Sequence, residues 1–333
     1  MKVANWHGGL NFTLDTIADP IAKSGQVIVK VHTVGICGTE VHYTQQRSEV
    51  VPPLVLGHEF TGTIVEVGSG VDRKRLGENV VCEPSYGCGE CFACNQGSES
   101  YCSVSQIRPG GFAEYAIMPS RTAHLLPAGL NLEEAAMTEP TACSLSGLEM
   151  FDMRPDSTIL ILGAGLLGVT SMMLGLRRGA SKAIVSDPVA HRRDFAKLMG
   201  ADIVVDPDHS DLDSIVDQYT NGLGVDVAFE AVGSGSLGDK AISLTRRRGR
   251  VQIVGVSPAG HKLSCDLVDM HKRQLTIGMS MSRGLAFKRA LSLMPELGLG
   301  SAINFRYPLS RISDAFIAAS KGESIRVVVG SND

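Results

Sequence analysis

Two rhythms of apolar and polar positions divide the chain. Over roughly the first 140 residues, apolar and β-branched side chains come in short runs, among them Gln26–Val34, Gly62–Val67 and Asn79–Cys82, punctuated by Gly, Pro and Asp. Runs of that length between turn formers predict a mostly β domain. From about Ser157 the rhythm lengthens, and strands at Thr158–Leu162, Lys182–Ser186, Asp202–Val205, Val225–Glu230 and Arg250–Val254 alternate with helical patterns such as Arg192–Met199. Such alternation predicts a parallel sheet covered by helices. Beyond Gly284 come helical patterns at Ala286–Leu297 and Ile312–Lys321 and a strand at Arg326–Val329, too few elements for a third domain. They are expected to complete one of the first two.

Size and charge agree with this division. A length of 333 residues suits two domains, and a hydrophobic content of 44% fills two cores. The net charge of −4 leaves no excess of Lys and Arg, which argues against nucleic acid or an anionic membrane as the main partner. Arg246-Arg247-Arg248 reads as a solvated surface turn. The longest apolar stretch, Thr158–Leu176, is interrupted by Gly163, Gly165, Gly168 and Gly175, as befits a buried strand, turn and helix rather than a membrane span. Residues 1–20 show no basic start followed by an apolar run, so no signal peptide is expected. Of eight cysteines half lie in one cluster, and reduced thiols in the cytoplasm are the simplest reading.

The cluster is the most specific chemistry in the chain. Cys88, Cys91, Cys94 and Cys102 follow C-x2-C-x2-C-x7-C, too tight for strain-free disulfides and suited to one tetrahedral Zn²⁺. Four protein ligands close the shell, so this metal is expected to stabilise the fold. A second motif, Gly163-Ala164-Gly165-Leu166-Leu167-Gly168, sits between an apolar strand and a helix, where its three glycines permit a tight turn, approach of a pyrophosphate and close helix packing. Asp187 follows the next strand and is placed to hold ribose hydroxyls, which favours NAD over NADP. A third group, Cys37 with His58 and Glu59, offers the thiolate, imidazole and carboxylate that a catalytic Zn²⁺ takes.

Gly57-His58-Glu59-x2-Gly62-x5-Gly68-x2-Val71, followed by the four-cysteine lobe, resembles the signature of the zinc-containing medium-chain dehydrogenase/reductase family, and the resemblance runs through essentially the whole chain. Cys-Gly-Thr-Glu-Val-His-Tyr at 37–43 and Glu139-Pro140 resemble the sorbitol and threonine dehydrogenase branch. The resemblance implies a GroES-like β domain, residues 1–145 with 286–333 and a zinc lobe at 82–105, joined to a Rossmann domain with a doubly wound parallel sheet at 146–285. It implies Cys37, His58 and Glu59 as catalytic zinc ligands, with Glu139 binding that zinc directly or holding its water. Thr39 and His42 match the proton relay and Tyr43 a substrate contact, while Leu167, Arg192, Val254, Val256, Met279 and Met281 match NAD contacts beside Gly163, Gly165, Gly168 and Asp187.

The expected function is hydride transfer between a secondary alcohol or polyol and NAD, with two Zn²⁺ per chain in a cytoplasmic homodimer or homotetramer. An amino-alcohol or hydroxy-acid dehydrogenase of the threonine kind is the enzymatic alternative, and a non-enzymatic zinc-ribbon and nucleotide-binding module the remaining one. Where sorbitol dehydrogenases place a sugar-binding arginine this chain has Met281, with Arg283 two residues later. A wall of Met279 and Met281 suits a shorter diol, a hydroxy acid or a less oxygenated alcohol.

Overall fold

Along Gln26–Gly35 the side chains of Val27, Ile28, Val29, Val31 and Val34 are buried while Lys30 and His32 face solvent. This strand lies inside a seven-stranded, largely antiparallel sheet whose main path runs Ala123–Leu125, Asn79–Cys82, Glu59–Val67, Gln26–Gly35, Arg326–Gly330 and Ile303–Pro308, with Tyr115–Pro119 also paired to Gln26–Gly35. The computed structural model describes all residues except 46–49, 97, 98, 100, 101, 108, 259, 281–284 and 331–333. It divides into two compact units, Met1–Ala142 with Arg283–Asp333, and Cys143–Ser282. The first holds this sheet, a smaller one of Phe12–Thr16, Lys2–Trp6 and Leu54–Val55, and a core around Phe60, Phe112 and Phe316.

The second unit holds a parallel sheet of six strands: β1 (Thr158–Leu162), β2 (Lys182–Ser186), β3 (Ile203–Val205), β4 (Val225–Glu230), β5 (Thr245–Ile253) and β6 (Thr276–Met279). Their spatial order, β3-β2-β1-β4-β5-β6, reverses direction between β1 and β4, which is the doubly wound dinucleotide-binding topology. Ile159, Leu160, Ile161 and Leu162 are all buried, as expected of a strand covered on both faces. Each such side chain contributes about 1.5–3 kcal/mol of burial free energy.

Two sequence expectations change. The strand expected from Gly62 begins at Glu59, because Phe60 and Thr61 pair with Cys82 and Val81; the Gly-His-Glu motif thus runs into a strand. The arginine run is no simple turn either. Arg246–Arg248 enters β5, Arg246 pairs with Asp226 at 2.7 Å, and Arg248 takes a positive φ of 58°. Among the described residues no helix is long and apolar enough to cross a membrane.

Candidate metal centres and cofactor site

In the four-cysteine lobe the Sγ atoms of Cys88, Cys91, Cys94 and Cys102 all lie within 4.8 Å of one another. Zn–S bonds of about 2.3 Å in a tetrahedron set sulfurs about 3.8 Å apart; Cys88 and Cys94 are 3.9 Å apart, and Cys91 and Cys94 3.5 Å. None of Cys88, Cys91, Cys94 and Cys102 is in a disulfide, so no disulfide competes. Backbone N–H groups of Cys88 and Val104 pull the Cys102 thiol down to about 6, whereas burial and the neighbouring thiols push Cys94 up to about 12. A dication resolves that conflict by favouring all four thiolates.

Outside the lobe, Arg121 donates two 2.9 Å bonds to Glu99 and one of 2.6 Å to the carbonyl of Gly87. Glu99 accepts the N–H of Gly87, so the residue before the first ligand is held from both sides.

The second group forms where two segments meet. Cys37 caps helix α1 (Gly38–Thr44), while His58 and Glu59 open the strand Glu59–Val67, and the three ligand atoms lie within 4.8 Å of one another. His58 and Glu59 are buried and Cys37 is half-buried. Thiolate, imidazole and carboxylate are a zinc donor set, and three protein ligands leave a position open.

Glu40, which the sequence reading passed over, organises the group. It is 1% exposed and its Oε1 accepts from Gly57 N at 2.7 Å and from His58 Nδ1 at 2.9 Å, while Oε2 accepts from Cys37 N at 3.3 Å. With Nδ1 committed to Glu40, Nε2 is left to meet a cation. Burial disfavours the charged imidazole, but Glu40 and Cys37 outweigh it and hold His58 well above the ordinary histidine range. Arg326, a buried residue of the strand Arg326–Gly330, donates to the Ile36 carbonyl and forms an ion pair with Glu59. Burial lowers its guanidinium to about 10, opposed by Cys37 and Glu40.

The remaining expected residues of this unit are placed as follows. Thr39 and His42 stand three residues apart on α1, on one helical face and both half-buried. Tyr43 packs its ring 6.4 Å from that of Trp6, and burial raises its hydroxyl pKa. Glu139 lies half-buried in the first turn of α2 (Thr138–Leu148).

In the second unit, Gly163 ends β1 at φ 99° and Gly165 caps α3 (Leu166–Arg177). A Cβ on Gly168 would come 1.8 Å from the Gly163 carbonyl oxygen, so only glycine allows the helix to start this close to the strand. Asp187, 3% exposed, accepts from Ala164 N and Val189 N at 2.8 Å each and thereby fixes the glycine turn. Arg192, on α4 (Ala190–Leu198), approaches Asp187 Oδ2 to 3.9 Å; Arg193 instead bonds the Asp187 carbonyl and Asp206.

A cavity of about 430 Å³ opens here, lined by Gly163, Asp187, Arg192, Val232 and Lys240 among others. Leu167 lies in the first turn of α3, Val254 and Val256 follow β5, and Met279 ends β6. The glycine turn, the buried acid Asp187 and the strand-end residues thus occur together at the carboxyl edge of the sheet, where such sheets bind dinucleotides. Met281 lies outside the described residues.

Two family models match the chain: an alcohol dehydrogenase GroES-like domain over residues 23–128 and a zinc-binding dehydrogenase domain over residues 167–296. D-arabitol-phosphate dehydrogenase of Enterococcus avium is 31% identical, over 94% of this chain and 92% of its own. Sorbitol dehydrogenase of Bacillus subtilis strain 168 is 30% identical, over 100% of this chain and 98% of its own. A solved structure from Sinorhizobium meliloti 1021, described as a zinc-binding dehydrogenase bound to NADP, superposes with a TM-score of 0.91 at 30% identity, covering 99% of this chain and 98% of that one. The chain therefore belongs to the zinc-containing medium-chain alcohol dehydrogenase family, in its sorbitol- and threonine-dehydrogenase-like branch.

Proposed function

We propose that this protein is an NAD(P)-dependent polyol or secondary-alcohol dehydrogenase, with its reaction centred on Cys37, His58 and Glu59. The observation that carries this reading is the convergence of these three donors within 4.8 Å of one another, with His58 bonded to Glu40, in a chain that also builds a dinucleotide-binding sheet. Cys37, His58 and Glu59 would hold a zinc ion that would supply Lewis acidity toward an alcohol hydroxyl, and the dinucleotide site would hold a nicotinamide that would supply the hydride acceptor.

The chain's own residues do the rest. Glu40 fixes the His58 tautomer and the spacing of the two ligand segments. Thr39 and His42 offer a hydroxyl and an imidazole on one helical face as the proton's route to solvent. Tyr43 stands beside them as a substrate contact, and Glu139 is assigned to orient the open coordination position. Asp187 and Arg192, with Gly163, Gly165, Leu167, Gly168, Val254, Val256 and Met279, are assigned to the cofactor. A second zinc in the four-cysteine lobe has a closed shell and a folding role.

The boundaries assigned are 1–145 with 286–333 for the catalytic domain and 146–285 for the cofactor domain, in a cytoplasmic dimer or tetramer. Asp187 favours NAD, since a carboxylate repels a 2′-phosphate.

The test is a panel of sorbitol, arabitol, arabitol phosphate, 2,3-butanediol and L-threonine, each with NAD⁺ and NADP⁺. Reduction of NAD⁺ by at least one polyol or diol is expected. Turnover of L-threonine alone would move the assignment to amino alcohols, and a clear preference for NADP⁺ would overturn the role given to Asp187.

A further inference from the structure

At the carboxyl end of β4 stands a buried acid, Glu230, 1% exposed, to which neither motif assigns a role. The turn that follows wraps its carboxylate. Oε1 accepts the N–H groups of Val232 and Gly233 at 2.9 Å each and of Ser234 at 3.2 Å, and Oε2 takes a further bond from Gly233 at 3.0 Å. Its backbone carbonyl accepts from Val254 at 2.8 Å and Gly255 at 3.0 Å, just beyond β5. Successive N–H groups converging on one point form a nest of the kind that captures anions. Here the chain's own carboxylate fills it.

The two segments that Glu230 fastens border the cofactor cavity. Val232 lines it, and a Cβ on Gly163 would come 2.4 Å from Val232 Cγ2, so Val232 closes directly on the glycine turn. Gly233, at φ 86°, lies so near the other segment that a Cβ would meet the Val256 carbonyl oxygen at 2.4 Å. All this lies where the sheet order reverses between β1 and β4, the crevice in which such sheets bind ligands.

We propose that Glu230 is a positioning residue for the dinucleotide: it shapes the wall formed by Val232 and locks it to the Val254–Val256 segment, so that the cofactor meets a crevice already formed. The inference rests on the cofactor reading above. Rigid walls reduce the ordering cost of binding, so the effect falls on cofactor affinity rather than on the chemical step.

Glu230→Gln keeps the size of the side chain but replaces one acceptor oxygen with an amide that points donors at donors. NADH dissociation constants from fluorescence titration well below the unfolding temperature, KM for NAD⁺, kcat and zinc content are compared with the unaltered protein. Affinity for NADH is expected to fall about tenfold or more, the scale of a buried donor left unsatisfied, with KM for NAD⁺ rising in step, kcat held within about threefold and zinc content unchanged. NADH affinity within about twofold of the unaltered protein's, or loss confined to kcat or to thermal stability, overturns the proposal while leaving the cofactor reading standing. Failure of the unaltered protein to bind NADH or NADPH overturns both. If the Gln variant does not fold, Gly233→Ala serves instead: it keeps the carboxylate but drives the turn away from Val256, and unchanged NADH affinity there counts equally against the proposal.

Discussion

The two clusters of candidate metal ligands differ in how they are built. The four-cysteine lobe gathers its donors from one short segment, Cys88 to Cys102, and all four are of one chemical kind. The centre at Cys37, His58 and Glu59 draws on two segments and three donor types, and its geometry depends on residues that bind no metal: Glu40 beneath His58, and Arg326 against Glu59. A closed, uniform shell suits a cross-link, and an open, mixed shell backed by buried charge suits a reaction. Substitutions in the two places should therefore fail in different ways.

The sharpest break comes from Cys37→Ser. Loss of Lewis acidity worth several kcal/mol lowers kcat/KM by about 10³-fold or more, while the lobe keeps its zinc and thermal stability changes little. Cys94→Ser should do the converse. Zinc falls by one per chain and the lobe loosens, seen as a lower Tm and faster proteolysis near residues 88–105, whereas protein that remains folded retains most of its turnover. A Cys94→Ser protein of normal Tm, or one whose folded fraction is inactive, would erase the distinction.

Glu40→Gln refines the comparison. Supporting residues of this kind are worth about 10–100-fold in metal affinity, and competition with a chelator should show that loss at one of the two sites only. Equal loss at both would mean that Glu40 serves the whole fold. Acidity supplies the mildest separation. His58 must be neutral to bind metal, and its metal-free imidazole is held well above the ordinary histidine range. Zinc affinity at this centre should therefore keep rising with pH past the ordinary titration of histidine, as chelator competition across pH would show. Because the raised pKa favours the charged imidazole in the folded state, the metal-free protein gains stability from His58 at low pH and loses that gain as pH rises through the raised pKa.

The same contrast explains what could be read from the chain. Cysteine spacing and the glycine turn are local, since each places its atoms within a single loop or strand-to-helix junction, and the β–α alternation after Ser157 is a run of local patterns. Glu40 was nearly as legible: it occupies the fourth position of Cys37-Gly-Thr-Glu40, an N3 carboxylate reaching back to cap its helix. Its bond to His58 depends on a separate segment. Arg326 was beyond reach, because only the pairing of Arg326–Gly330 with Gln26–Gly35 carries it from the C-terminal segment to Glu59. Strands Lys2–Trp6 and Ile303–Pro308 went unread for a related cause: each is a short run in which Asn, or Asn, Arg and Pro, interrupt the apolar residues, and sheet neighbours decide their conformation. Glu230 looked like the end of a strand until its carboxylate was seen inside the following turn.

The central claim is that one chain carries one metal for folding and one for chemistry. Zinc content per chain, measured by atomic spectrometry on the purified, catalytically active protein, tests it most directly. Two zinc ions are expected, one of them removed by Cys37→Ser together with turnover. A single zinc in the active protein, retained in Cys37→Ser, would contradict it.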